Sequence, residues 1–134
     1  MSAAIDVLVD ASAVMKVLLG RPEKDRVINV FDYCTLHAPP VLPYEIGNAL
    51  MGVRRHNGLD EHGVIGAYND FKEIQFEYQT VFVDKALIIA CKYLIYAYDA
   101  YYLEVAKRQN LPILTFDKGM IRVARDLKLN VLEV

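Results

Sequence analysis

The stretch that most constrains the fold is residues 5–18, Ile-Asp-Val-Leu-Val-Asp-Ala-Ser-Ala-Val-Met-Lys-Val-Leu. Ile5 to Val9 is short, mostly aliphatic and β-branched, the pattern of a strand buried on both faces. It stops at Asp10, and Ala11-Ser12-Ala13 turns the chain into a helical stretch. In an open parallel α/β sheet, ligands bind outside the carboxyl ends of the strands. An acid at the end of the first strand stands where such chemistry is done. It also suits a plain helix cap, for which Asp and Ser are favoured.

Strands and helices alternate along the rest of the chain. Apolar spacing predicts helices over 12–19, 23–33, 41–56, 60 to about 76, 86–94, 98–109 and 119–127. Short strands are expected at 36–38, 78–83, 113–115 and 130–134. Pro39-Pro40 stops the second strand, Asn57-Gly58 suits a left-handed helix end, and Asp60 and Asp84 suit helix caps. Strands separated by helices predict a three-layer α/β/α domain around a central, mainly parallel sheet of four to five strands. At 134 residues the chain is expected to form one domain over 1–134, burying roughly two-thirds of its unfolded surface.

With 54% hydrophobic and 24% charged residues, the composition is that of a globular protein rather than a disordered one. No apolar run reaches the roughly 18 residues that span a bilayer, and the N-terminus has no secretory pattern. Cys34 and Cys91 lack zinc-type spacing and are read as reduced core residues, so a cytoplasmic location is expected. The net charge of −2 does not decide nucleic-acid binding, because several acids gathered at one metal site leave a basic excess elsewhere.

Four acids stand at strand ends or helix starts. Asp10 and Asp117 end the first and fourth strands, Glu45 opens the helix entered through Pro43, and Asp99 opens the next-to-last helix. Converging on one crevice, they would repel one another and raise one or more of their pKa values. A hard divalent cation relieves that repulsion, and Mg²⁺ takes one or two carboxylates plus waters. Glu45, Asp99 and Asp117 are equally at home as first-turn residues favoured by the helix dipole; spacing alone does not select these four over Asp60 or Asp84.

The stretches Val9-Asp10-Ala11-Ser12-Ala13, Pro43-Tyr44-Glu45-Ile46-Gly47-Asn48-Ala49-Leu50, Tyr98-Asp99-Ala100-Tyr101-Tyr102-Leu103 and Leu114-Thr115-Phe116-Asp117 resemble the PIN-domain family. They look most like the small VapC-type toxins of toxin–antitoxin pairs. The motifs occur in the family's order, and only residues 57–84 carry little of its signature. The resemblance implies a metal-dependent endoribonuclease using Mg²⁺ or Mn²⁺, a homodimer, and a cognate antitoxin that occupies the active-site groove. By position, Asp10, Glu45, Asp99 and Asp117 match the family's acidic site. Ser12 and Thr115 match the hydroxyl residues beside it, with a role in orienting carboxylates or capping a helix. Asn48, one turn after Glu45, either holds that acid or faces the substrate.

The expected reaction is in-line attack on an RNA phosphate by water activated at the metal, leaving a 5′-phosphate and a 3′-hydroxyl. His37, His56 and His62 lie outside the motifs and are read as surface or packing residues. RNA phosphates need basic contacts; Lys16, Arg54, Arg55, Lys118 and Arg122 are the candidates, against their reading as a solvated charged face. Tyr96, Tyr98, Tyr101 and Tyr102 cluster around Asp99, as core, dimer contacts or a stacking surface for a base. A phosphoacceptor receiver-like domain also combines strand-end acids with a Thr and Mg²⁺, but it needs adjacent acids after the first strand, which Leu8-Val9-Asp10 lacks. The same residues also suit a non-enzymatic RNA-binding module, or an RNA-processing nuclease that has no antitoxin.

Overall fold

The computed structural model describes residues 5–134; positions 1–4 of the expected domain lie outside them. β1 (Ile5–Val9) feeds α1 (Ala11–Leu18), and α2 (Lys24–Tyr33) returns the chain to β2 (Cys34–Ala38). Next, α3 (Leu42–Arg55) and α4 (Glu61–Lys72) lead to β3 (Glu77–Tyr78). Finally α5 (Val83–Tyr93) and α6 (Ala97–Gln109) lead to β4 (Ile113–Leu114), and α7 (Lys118–Asp126) follows.

The four strands are parallel, in the order β3-β2-β1-β4. β1 pairs on both sides, Leu8 facing His37 of β2 and Ile113 of β4. Val7, Leu8 and Val9 are all fully buried, as expected of a parallel strand whose two faces are both covered by crossover helices. Helices α1 to α4 pack among themselves, while α6 packs on α5, α7 and β1. The result is the expected α/β/α architecture with four strands. No helix among the described residues is long and apolar enough to cross a membrane.

Strand order positions the site. The chain winds outward from β1 to β2 to β3, then returns to place β4 on the other flank of β1. Such a reversal opens a crevice beyond the carboxyl ends of the two strands at the switch point. Asp10 follows β1 there, and Thr115, Phe116 and Asp117 follow β4.

Several expectations change in detail. The strand expected over 78–83 shrinks to Glu77–Tyr78. Its last sheet bond is from Gln79 N to the Ala38 carbonyl at 2.9 Å. Beyond it, side chains of α6 take the backbone groups: Arg108 donates to the Thr80 carbonyl at 2.6 Å and the Phe82 N–H donates to Glu104 at 2.7 Å. Phe82, not Asp84, is the cap position of α5; Asp84 lies in its first turn. The expected strand over 130–134 is a single bridge, Ile113 to Val131, and α4 ends at Lys72 rather than near Phe76. Cys34 is half-buried and Cys91 is exposed on α5, so Cys91 is not a core residue. Asp60 caps α4, accepting from the Gly63 N–H at 2.7 Å. Asn57 and Asn110 adopt the left-handed conformation, with φ of 59° and 53°.

Candidate active site

Asp10 is held from four directions by its local sequence. Its backbone extends β1, and its side chain caps α1 by accepting from Ala13 N–H at 3.1 Å. The Ser12 hydroxyl donates to Oδ1 at 2.7 Å and the Thr115 hydroxyl to Oδ2 at 2.5 Å. The Ser12 oxygen in turn accepts from Phe116 N–H at 2.9 Å, and the Thr115 oxygen from Asp117 N–H at 3.0 Å. Two hydroxyls thus pin β1's terminal acid to the loop after β4. Burial pushes the Asp10 pKa up to about 6 against these three hydrogen bonds, and the Asp117 charge adds to the rise.

Asp117 is exposed and caps α7, accepting from Met120 N–H at 2.8 Å. Asp99 lies in the first turn of α6, half-buried; burial and then the Asp117 charge raise its pKa. Glu45 lies in the first turn of α3 after Pro43, which is tolerated at a helix start. Burial raises its pKa, the Tyr102 hydroxyl opposes the rise, and the Asp99 charge adds to it. Two of the four acids therefore do cap helices, as the plainer expectation had it, and their charges are linked in a chain: Asp117 acts on Asp10 and on Asp99, and Asp99 acts on Glu45. Ser12 and Thr115 stand on Asp10, whereas Asn48 is exposed one turn after Glu45.

Sequence reasoning left one participant undistinguished. Tyr102 is 1% exposed, and its pKa is raised by burial and then by the charges of Glu45, Asp10 and Asp99. Its hydroxyl and Glu45 Oε1 lie near enough to perturb one another, yet neither closes a hydrogen bond with any of the described residues. The available signal was its position three residues after Asp99, on the same helix face.

That orphaned carboxylate oxygen is the observation that tests the fit of a cation. A buried acceptor left unpaired costs free energy unless something satisfies it, and mutually repelling carboxylates favour a hard divalent ion with oxygen ligands. Among the described residues no three His, Cys, Asp or Glu side chains close into a ready cage. An open set of carboxylates suits Mg²⁺, which keeps several of its waters.

The candidate basic residues separate. Lys118 and Arg122 are exposed on α7, directly after Asp117. Lys16 on α1 is tied to Glu23 at 2.7 Å and lies over the Phe116 ring. Arg54 and Arg55 close α3 at its last turn, about 14 Å along the helix from Glu45.

The PIN domain family model matches residues 7–126. The chain belongs to the PIN domain family. No curated protein sequence matches this PIN domain. Among solved structures it is similar to PAE2754 from Pyrobaculum aerophilum, at 24% identity and a TM-score of 0.71, over 90% of this chain and 87% of that one. It is similar to VapC20 of Mycobacterium tuberculosis, described as a sarcin–ricin loop cleaving toxin, at 12% identity and a TM-score of 0.63, over 87% and 93%. VapBC2 from Rickettsia felis, bound to a DNA fragment from their promoter, matches at 11% identity and a TM-score of 0.64, over 96% and 98%. At these identities the likeness of this PIN domain to the three is one of fold.

Proposed function

We propose that this PIN domain is a Mg²⁺- or Mn²⁺-dependent endoribonuclease, the toxin of a VapBC-type toxin–antitoxin pair. The observation that supports the reading is the buried, unpartnered Glu45 Oε1 beside acids whose charges raise one another's pKa values, Asp117 acting on Asp10 and Asp99, and Asp99 on Glu45. The fold shared with a toxin described as cleaving the sarcin–ricin loop, and with a VapBC assembly, favours RNA as substrate and an antitoxin as partner.

In this reading carboxylates from the set Asp10, Glu45, Asp99 and Asp117 would hold the divalent ion, with waters completing its shell. When bound, the ion supplies Lewis-acid charge for the phosphate and lowers the pKa of water. The chain's own contribution is positioning. Ser12 and Thr115 each direct one oxygen of Asp10, so that this carboxylate is fixed before substrate arrives. Such partners orient metal ligands generally. Tyr102, buried where the charges of Glu45, Asp10 and Asp99 reach it, would back the acids from the protein interior. Lys118 and Arg122 supply positive charge beside the acids for the RNA backbone; Arg54 and Arg55, at the far end of α3, are the poorer candidates. Exposed apolar residues of α5 support a homodimer.

The test is cleavage of an end-labelled RNA pool by wild type and Asp99→Asn with Mg²⁺, Mn²⁺ or EDTA. We expect metal-dependent cutting that leaves 5′-phosphate and 3′-hydroxyl ends and falls by at least about 100-fold in the variant. Equal cutting by both proteins, or products ending in 2′,3′-cyclic phosphate, would overturn the site or the mechanism. RNA binding that persists in EDTA without any cleavage would favour the binding-module reading.

A further inference from the structure

Beyond the acids, a groove of about 680 Å³ lies between α7 and the C-terminal segment. Thr115, the residue that bonds Asp10, is among the residues lining it, and Phe116 and Lys118, which flank Asp117 in the chain, line it too, so the groove adjoins the acids. Phe116, Ile121 and Leu132 give it an apolar floor, and Lys118, Arg122 and Arg125 line it from α7. Those three cations stand at i, i+4 and i+7, which places them along one helix face. The stripe begins immediately after Asp117 and runs away from the acids for about 10 Å, the length of a seven-residue helical step.

The cations are not equivalent. Among the described residues, Lys118 and Arg122 have no carboxylate within ion-pair distance, whereas Arg125 is paired with Glu133 at 3.1 Å. Glu133 lines the same groove, so its carboxylate sits where an incoming anion would meet Arg125. Both partners are mostly exposed, at 60% and 82%. A pair so exposed holds little of the fold together and exchanges readily for a stronger anion.

We propose that this groove seats a nucleotide flanking the cleaved bond of single-stranded RNA. Lys118 and Arg122 contact the phosphate backbone, Phe116 and the apolar floor receive the base, and Glu133 competes with phosphate for Arg125. The proposal rests on the ribonuclease reading and adds to it the path the strand takes out of the crevice. The chemistry fits the occupant on both counts: unneutralised cations in a row answer a polyanion, and an aromatic and aliphatic floor answers the flat face of a base. An acidic peptide would use the cations but not the order in which they leave the acid site.

The experiment is fluorescence anisotropy of a labelled, randomised single-stranded RNA dodecamer in EDTA, where no cleavage occurs, over a series of salt concentrations. Arg122→Ala is expected to weaken binding about tenfold and to reduce the slope of log K against log salt by about 0.7, the share of one phosphate contact on a single strand. Glu133→Gln is expected to tighten binding about threefold, because it frees Arg125 for phosphate. A merely structural Arg125–Glu133 pair, so exposed, predicts unchanged binding for Glu133→Gln. Mg²⁺-dependent cleavage of the same RNA is followed in parallel. Wild type that cuts RNA while both variants bind it as wild type does would overturn the groove and leave the nuclease standing. Wild type that neither binds nor cuts RNA would overturn both. Tighter binding by Glu133→Gln together with weaker binding by Arg122→Ala would establish the seat.

Discussion

Asp10 is the residue where burial and charge are most visibly opposed. Its carboxyl is 4% exposed, and burial lifts its pKa from 3.8 to about 6. Because the folded protein holds that proton more tightly than the unfolded chain, Asp10 contributes stability that is complete below about pH 4. The contribution is lost as the pH rises through about 6. Ionising Asp10 in the metal-free protein therefore costs about 3 kcal/mol by pH 7. We expect metal-free Asp10→Asn to be more stable than wild type at pH 7 by up to that amount, with the two converging below pH 4. Urea unfolding in EDTA across that range checks it, and a variant less stable at pH 7 would show that the hydrogen bonds from Ser12, Thr115 and Ala13 outweigh burial. At this scale the acids were legible through resemblance, since a helix cap and a catalytic acid have the same sequence, and Asp10 and Asp117 are in fact caps. What sequence did not separate was Tyr101 from Tyr102. Adjacent helical residues point about 100° apart, so Tyr101 stacks edge-on against Tyr98 while Tyr102 turns inward, where the charges of Glu45, Asp10 and Asp99 reach it.

Among the elements, helices were legible and short strands less so. Helix periodicity spans many residues, whereas β3 and β4 have two residues each and offer no alternation to read. The expected strand over 78–83 is rich in β-branched and aromatic residues, yet only its start joins the sheet. The rest is captured by α6, through a device that spacing does not announce. Glu104, 3% exposed, accepts from Phe82 N–H and from Arg108, and Arg108 donates to Thr80 and lies over the Phe82 ring. This clamp fixes where α5 begins. Arg108→Ala would leave a buried carboxylate with only one donor, and is expected to destabilise the fold by about 2 kcal/mol. Pairing it with Glu104→Gln should recover part of that loss, because the uncompensated charge is then removed. Urea midpoints of the single and double variants decide it: equal losses in both would mean that Arg108 acts through packing on Phe82 rather than through charge.

At the scale of the whole molecule, the order of the elements already implied a parallel sheet and an acid-lined edge, but which strand neighbours which is a long-range fact. The return of β4 to the free flank of β1 brings Thr115 onto Asp10 across 105 positions of sequence, and no local pattern encodes that. The outer surface carries a second long-range property. Val83, Leu87, Ile88, Leu94, Tyr96 and Tyr98 are all exposed along α5 and into α6, Ile88 at 70% and Leu94 at 90%. An apolar run of this extent on the surface suits an association site, and in the proposed homodimer a second copy of the chain would cover it by presenting the same patch about a twofold axis. Ile88→Glu places a charge in that patch while leaving the monomer's core untouched, since Ile88 is not among the buried residues. The variant is therefore expected to keep the wild-type circular dichroism and to shift from dimer to monomer in light scattering at micromolar concentration. A wild-type protein that is already monomeric, or a variant that remains dimeric, would assign the apolar face of α5 to another partner and remove the homodimer from the proposed assembly.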